Sequence, residues 1–231
     1  ILEFWLFCFT IMTEKTITAI KVQKRNPERV NIDLDGDFAF GLSRITAAWL
    51  KIGDRLTQER IDALQREDAI EVAYQRALLL LGYRARSEQE LSRKLTEKNF
   101  STEQVDQVVR KLKQANLIHD GSFARAWVEN RNNSHPRSQR LMRYELQRKG
   151  VAEEDIQRAI KTSAPDQELA LRAAENYSRR LTGYDSKVFR NRLSGFLARR
   201  GFSYEVIAPV VSALWEQRSA NNNTDEEKEE E

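Results

Sequence analysis

Three segments, Leu95-Thr96-Glu97-Lys98-Asn99-Phe100, Leu146-Gln147-Arg148-Lys149-Gly150-Val151 and Leu197-Ala198-Arg199-Arg200-Gly201-Phe202, lie 51 residues apart and share one pattern. Each runs from Leu through a cation to Asn or Gly and then to a hydrophobe. Asn and Gly are the residues that tolerate the left-handed conformation in which helices commonly end. The cation before them meets the negative end of the helix dipole, and the hydrophobe after them can fold back on the helix. The register extends outward without a gap. Arg86-Ser87 aligns with Arg137-Ser138, Leu91 with Met142 and Leu193, and Glu103 with Glu154 and Glu205. Val105 aligns with Ile156 and Ile207, and Ile160 with Val211. A match held twice over the same period marks an internal repeat.

The unit reads helix, turn, helix, tight turn, helix. Leu/Met pairs four residues apart give its second helix one apolar stripe. Ser87 with Glu90 forms a capping box for that helix, and Ser101 or Ser203 can cap the next. In the middle copy Glu153 and Glu154 favour the same helix start. The copies fall at about 68–116, 120–162 and 166–217, with loop signals at 116–121 and 162–165. Stacked units of this kind share apolar faces and form an array. The fold class is therefore mainly α, an elongated tandem array of three three-helix, helix-turn-helix-like repeats with a small N-terminal antiparallel β-sheet.

That sheet is read from residues 16–23 and 29–34, both rich in β-branched residues. Val30, Ile32 and Leu34 alternate with Asn31 and Asp33, Asp35-Gly36 supplies a two-residue hairpin turn, and Phe38 and Phe40 continue the alternation. About three strands are expected. Asp33, Asp35 and Asp37 resemble a calcium loop, but its twelfth position would be Arg44 rather than a bidentate Glu, which favours the hairpin. From Thr57 the period becomes helical through Ile61, Leu64, Ala69, Ala73, Ala77 and Leu78, and Gly82 breaks it. The domain reading is 1–11 an upstream segment, 12–56 the β-rich domain, 57–116 a linking helix with repeat 1, 117–162 repeat 2, 163–218 repeat 3, and 219–231 a tail.

Composition bounds the chemistry. Of 231 residues, 32% are charged and 40% hydrophobic, with only 9 Gly and 4 Pro, as in a soluble helix-rich chain. One Cys rules out a disulfide scaffold and a thiolate metal site, and two His leave little catalytic hardware. No Gly-rich phosphate loop, His-Glu-x-x-His motif or serine nucleophile elbow is present. A binding protein is expected, not an enzyme, with no catalytic residue, no cofactor and no metal. Residues 1–11 are almost wholly apolar, too short to span a bilayer, and lack the basic start and cleavage site of a signal peptide. They precede Met12 and read as upstream translated sequence rather than working structure.

The net charge of +3 averages unlike parts. Residues 12–83 hold 11 basic and 11 acidic side chains; residues 84–220 hold 26 against 17, a net of +9. Residues 221–231 hold six acids and one base, a composition that predicts disorder. The basic excess points to a polyanionic or acidic partner for the second part of the chain. The candidate contact residues are Arg131, Arg137, Arg140, Arg143 and Lys149 in the middle copy, with Arg190 and Arg200 in the third. Lys149 and Arg200 are also explained by dipole capping. Phe123 and Trp127, four apart, and Tyr177, Phe189, Phe196 and Trp215 are assigned to the core rather than to base stacking. His119 and His135 lie in turns without a visible partner.

Arg84-Ala85-Arg86-Ser87-Glu88-Gln89-Glu90-Leu91, with Lys94-Leu95 and Lys98-Asn99-Phe100, resembles the RecX family of recombination regulators. So do Leu117-Ile118-His119-Asp120 with Phe123-Ala124, Glu145-Leu146 with Lys149-Gly150-Val151, and Arg199-Arg200-Gly201-Phe202 with Ile207. The likeness covers about 70–218, and the β-rich lead-in resembles the N-terminal extension of some members. His119 departs from the Asp common there, which could alter the cap of the following helix. The resemblance implies a cytoplasmic regulator of RecA, usually negative. It would lodge in the groove of the RecA–DNA filament and limit strand exchange, ATP hydrolysis and SOS co-protease activity. It further implies a monomer with weak, sequence-independent DNA contact and no membrane. The rival readings are a direct DNA-binding helix-turn-helix regulator and a helical-repeat scaffold for another protein.

Overall fold

A computed structural model of the chain describes residues 14–229, with side chains described through residue 220. The expectation for residues 1–11 lies outside the described residues. The described chain forms two compact units, one of residues up to 84 together with 91–114, the other of residues 85–90 together with 115 onward.

The first unit opens with an antiparallel sheet of β1 (Lys15–Gln23), β2 (Asn26–Leu34), β3 (Asp37–Ser43) and β4 (Arg55–Leu56), in the order β3-β2-β1-β4. The turn between β2 and β3 is the expected one, with Asp35 and Gly36 at φ 52° and 101°. Ile17, Val30, Ile32, Leu34, Phe40 and Leu42 form one buried face and pack with Ile61 and Leu64 of α1 (Gln58–Tyr83). The sheet differs from expectation in two ways. A bulge lets Ile32 pair with Phe40 but Asp33 with Phe38, so Ala39 is extra; Phe38 leaves the core face and is 64% exposed. The fourth strand, two residues long, is too short to show a period in the sequence. The carboxylates of the apparent calcium loop are also engaged: Asp33 accepts from Lys21 Nζ at 2.6 Å and Asp35 from the Thr16 N–H at 3.0 Å.

Thr57 caps α1 by accepting from the Arg60 N–H. Gly82 does not break this helix, which continues to Tyr83 and ends where Arg84 turns extended at φ −168°. Gly82 is the penultimate residue of this 26-residue helix, where it costs less than the about 1 kcal/mol of an interior Gly. Buried Asp68 ties α1 to the sheet, accepting from the Arg29 guanidinium at 2.9 Å and from the Ser43 N–H. α2 (Glu88–Thr96) and α3 (Thr102–Gln114) complete the first three-helix repeat. Val105, Val108, Val109 and Leu112 form the buried stripe of α3.

The second unit holds α4 (Asp120–Asn133), α5 (Gln139–Gln147) and α6 (Glu153–Ile160), then α7 (Asp166–Ser178), α8 (Ser186–Arg199) and α9 (Tyr204–Glu229). One core runs through both repeats, from Phe123, Met142 and Ile156 to Leu193, Phe202 and Val211. The backbone of α9 is helical to Glu229, whereas the composition of the tail predicts disorder; its side chains beyond residue 220 lie outside the described residues.

The 51-residue period is realised atom by atom. Asn99, Gly150 and Gly201 have φ of 65°, 74° and 87°. The N–H groups of Phe100, Val151 and Phe202 reach back to the carbonyls of Leu95, Leu146 and Leu197 at 3.4, 3.2 and 3.4 Å, the closing bond of a Schellman turn. Those three Leu, with Leu91, Met142 and Leu193, are fully buried. Within the second unit the same turn is also a joint. The buried Ser87 hydroxyl donates to the Lys149 carbonyl, and one period later the Ser138 N–H donates to the Arg200 carbonyl at 3.0 Å. The N–H groups of Glu88 and Gln139, likewise one period apart, donate at 2.8 Å to the carboxylates of Asp120 and Asp166, which begin α4 and α7.

The joint explains why copies two and three carry Gly where copy one has Asn. A Cβ on Gly150 would strike Gln89, and one on Gly201 would lie 2.6 Å from Ser138 Oγ and 2.7 Å from Leu141 Cβ. Gly201→Ala is therefore expected to cost about 2–3 kcal/mol, from left-handed strain plus overpacking, whereas Asn99→Gly should stay within about 0.5 kcal/mol of wild type. Denaturant midpoints of the two variants check this contrast.

Candidate functional site

The cations singled out in the second part of the chain fall into two kinds. Arg131, Arg137, Lys149 and Arg200 are partly buried in the joints. Glu145 of α5 gathers two of them: it accepts from Arg131 Nε at 3.1 Å and pairs with Arg137, while its Oε2 also takes the Trp127 indole N–H at 2.8 Å. Trp127 lies between two cations, with Arg131 4.3 Å and Lys149 4.4 Å from its ring centroid. Lys149 also pairs with Glu90 at 3.6 Å, and the nearby Arg86 with that same carboxylate at 3.3 Å. Arg200 donates to the Pro136 carbonyl at 2.8 Å and stacks over Phe196.

These guanidiniums are held at a cost. Burial lowers the pKa of Arg131. Burial also lowers that of Arg137, with the charges of Arg131 and Arg200 adding to it, and that of Arg200, with Arg131 adding to it. Three like charges thus act on one another while Glu145 pairs with two of them, and the surplus is positive.

The remaining candidates sit further out. Arg143 pairs with Glu153 across the turn after α5, and Arg190 donates to the hydroxyls of Ser186 and Ser212. Arg140 is exposed and has no side-chain partner among the described residues. Arg148 and Arg199 are exposed as well and occupy the same position in successive copies, one residue before the joint cation. Sequence reasoning gives Glu90 a place in a capping box and quotes Glu145 within a family-like motif, but assigns neither an ion pair. Glu145 on α5 lies 14 residues from Arg131 of α4 and 8 from Arg137 in the loop before α5, so no helical spacing announces the pairing.

The aromatics are core residues, as expected. Phe123 is buried, Tyr177 stacks on Phe196 with centroids 4.0 Å apart, and Phe189 meets Trp215 at 5.3 Å. His119 has a role that its place in a turn does not reveal: its Nδ1 accepts the Ser122 N–H at 3.1 Å and so caps α4, doing the work of an Asp. Among the described residues no cluster of three or more His, Cys, Asp or Glu is placed to hold a metal, and no helix is long and apolar enough to cross a membrane.

Four family models match the chain in order. They are the regulatory protein RecX N-terminal domain over residues 15–57 and the first, second and third RecX three-helix domains over 73–112, 120–160 and 165–211. A curated relative, regulatory protein RecX of Bacillus pumilus (strain SAFR-032), is 32% identical over 219 residues, covering 93% of this chain and 81% of the relative. The chain belongs to the RecX family. The RecX of Geobacillus thermodenitrificans (strain NG80-2) is 34% identical over 207 residues, covering 85% of this chain and 76% of that one. Among solved structures, a crystal structure of regulatory protein RecX superposes with a TM-score of 0.65 at 30% identity, covering 85% of this chain and 98% of that one. A RecX from Lactobacillus salivarius shares the fold at a TM-score of 0.53 and 23% identity, covering 64% of this chain and 97% of that one. This RecX protein therefore has the three helical repeats and the N-terminal sheet of a regulatory family.

Glu145 should behave as the keystone of its joint. Glu145→Ala leaves Arg131, Arg137 and the Trp127 N–H without their shared acceptor and should cost about 2–4 kcal/mol. Arg140→Ala should cost less than about 0.5 kcal/mol. Thermal unfolding of the two variants side by side measures the difference.

Proposed function

We propose that this RecX protein regulates RecA negatively by lying in the groove of the RecA–DNA filament. There it limits strand exchange, ATP hydrolysis and SOS co-protease activity, in the cytoplasm, as a monomer that works by occupancy rather than catalysis. Membership of a regulatory family supports the reading. The physical observation that carries it is the recurrence of an exposed cation, Arg148 and then Arg199, at one position of successive repeats in the most basic part of the chain. A partner that is itself a repeating polymer can meet equivalent groups at successive steps, and weak contacts made together add through effective concentration.

Arg140, Arg148 and Arg199 are assigned the direct contacts, because they are exposed. Arg131, Arg137, Arg143, Lys149, Arg190 and Arg200, held by internal partners, add to the field that draws in a polyanion. Weak, sequence-blind DNA contact follows from the same charges.

The rival reading, a helix-turn-helix reader of DNA sequence, would insert the third helix of a repeat into the major groove, N-terminal residues foremost. In the middle copy those residues are Glu153, Glu154 and Asp155, which a phosphate-lined groove repels. That favours the filament over the duplex.

RecA-driven ATP hydrolysis on single-stranded DNA, measured with and without the chain, tests the proposal. Wild type should suppress it, and the triple change Arg140→Gln, Arg148→Gln, Arg199→Gln should raise the concentration needed by about tenfold and flatten the salt dependence by about 0.7 per lost phosphate contact. Unaltered hydrolysis would dismiss the RecA reading, and a preference for one duplex by orders of magnitude would support the rival.

A further inference from the structure

The first unit contains a cleft of about 610 Å³ that the function above does not use. Its walls are the start of β2 and the end of β3, the middle of α1, and the turn after α2. Its apolar lining comes from Ile45, Val72, Leu79 and Phe100, and Ile45 and Leu79 are both more than half exposed. Arg44, Arg76 and Lys98 stand at its rim, exposed and without side-chain partners among the described residues, while Arg29 is tied to Asp68. Against these four cations the lining offers two acids, Glu28 and Glu71.

The cleft does not end with α1's middle turns. A second depression shares Gln75 and Leu79 with it and continues through Leu78 and Gly82 to Tyr83, which is 84% exposed. From Val72 to Tyr83 the helix rises about 16 Å, roughly three turns. Gly82 is the telling residue. A Cβ there would meet nothing within 4 Å, so no contact among the described residues requires Gly at this penultimate position of the helix. Its missing side chain leaves the groove floor open to another backbone.

The turn that closes the groove has a precedent in the same chain. Lys98-Asn99-Phe100 is the first copy of the turn that, as Lys149-Gly150-Val151 and Arg200-Gly201-Phe202, receives the N-terminal end of a Ser-capped helix. No repeat precedes the first copy within the described residues.

We propose that this groove is a docking site for an acidic amphipathic helix of a partner protein, with apolar anchors along α1 and carboxylates toward Arg44, Arg76 and Lys98. Apolar side chains at i, i+4 and i+7 would match three turns of α1, the usual helix-in-groove pattern. The excess of free cations over acids selects an anionic partner over a basic one. The aliphatic floor, and the length of the strip beyond the charged rim, select a peptide over a phosphate or nucleotide, which would need convergent N–H donors. The site is built from residues of the first unit alone and needs no RecA for its assay.

The test uses the full chain and a fluorescein-labelled helical peptide of about 14 residues, with leucines at i, i+4 and i+7 among glutamates, followed by fluorescence anisotropy. Saturable binding is expected, weakened about tenfold by Arg44→Glu with Arg76→Glu and by a peptide whose leucines are alanine. Gly82→Gln should weaken it at least about fivefold while leaving the melting temperature unchanged or higher, because Gln is the better helix former. Absence of saturable binding would overturn the proposal. So would equal affinity of the leucine and alanine peptides, or indifference to Gly82→Gln. A chain lacking residues 1–13 that binds about tenfold tighter would overturn the assignment to a partner, giving the groove to this chain's own apolar start.

Discussion

Each repeat turns on one backbone residue that must be left-handed. Asn99, Gly150 and Gly201 each end a short helix by letting the following hydrophobe's N–H return to the Leu carbonyl five residues back. That single reversal folds Phe100, Val151 or Phe202 back toward its helix and sets the direction of the third helix. In the second unit it does more, because the reversed turn presents a carbonyl outward and a second helix end lands on it. A side chain at Gly150 or Gly201 would occupy the space that the landing helix needs. The capping of one helix and the docking of the next are thus two uses of the same few atoms.

The electrostatics follow from that joint. Bringing helix ends together buries the cations that precede each turn, and the fold neutralises them unevenly. At the first joint Glu90 meets Lys149 and Arg86. At the second, Leu141 stands where the repeat would place Glu90, and the carboxylate comes instead from Glu145, half a helix away. Arg200 is left to a carbonyl and an aromatic ring. By these pairings the first joint sets two cations against one carboxylate and the second sets three, so the positive surplus is larger at the second. A basic excess spread through residues 84–220 therefore resolves into cations spent on architecture and cations left exposed.

What could be read from the sequence is what local chemistry repeats. The three Leu, the three left-handed positions and the hydrophobe after each are all short-range features, and a period of 51 copied them into view. The hairpin at Asp35-Gly36 was legible for the same reason. The bulge at Ala39 was not, because an extra residue leaves the composition of the strand unchanged while turning Phe38 to the other face. The two-residue β4 fell below any period. Glu145's hold on two arginines was hidden because it joins residues that only the tertiary fold brings together. The resemblance placed His119 at the cap of the following helix, but its partner was not legible, since an imidazole is an uncommon cap.

The same logic separates the two halves of the candidate site. Lys98, Lys149 and Arg200 are one position in three copies, so each copy carries a cation there while the surroundings differ. In copies two and three a helix end arrives, and the cation is absorbed by Glu90 or by the Pro136 carbonyl. In copy one the cation lines an open groove, exposed and with no hydrogen-bonded or ion-paired acid among the described residues. Asn rather than Gly at residue 99 fits that difference: where no helix end has to approach within van der Waals contact, the left-handed turn needs only a residue that tolerates it, and Asn suffices. A position filled by structure in two copies and left open in the third is a surface the fold has already shaped to receive a helix.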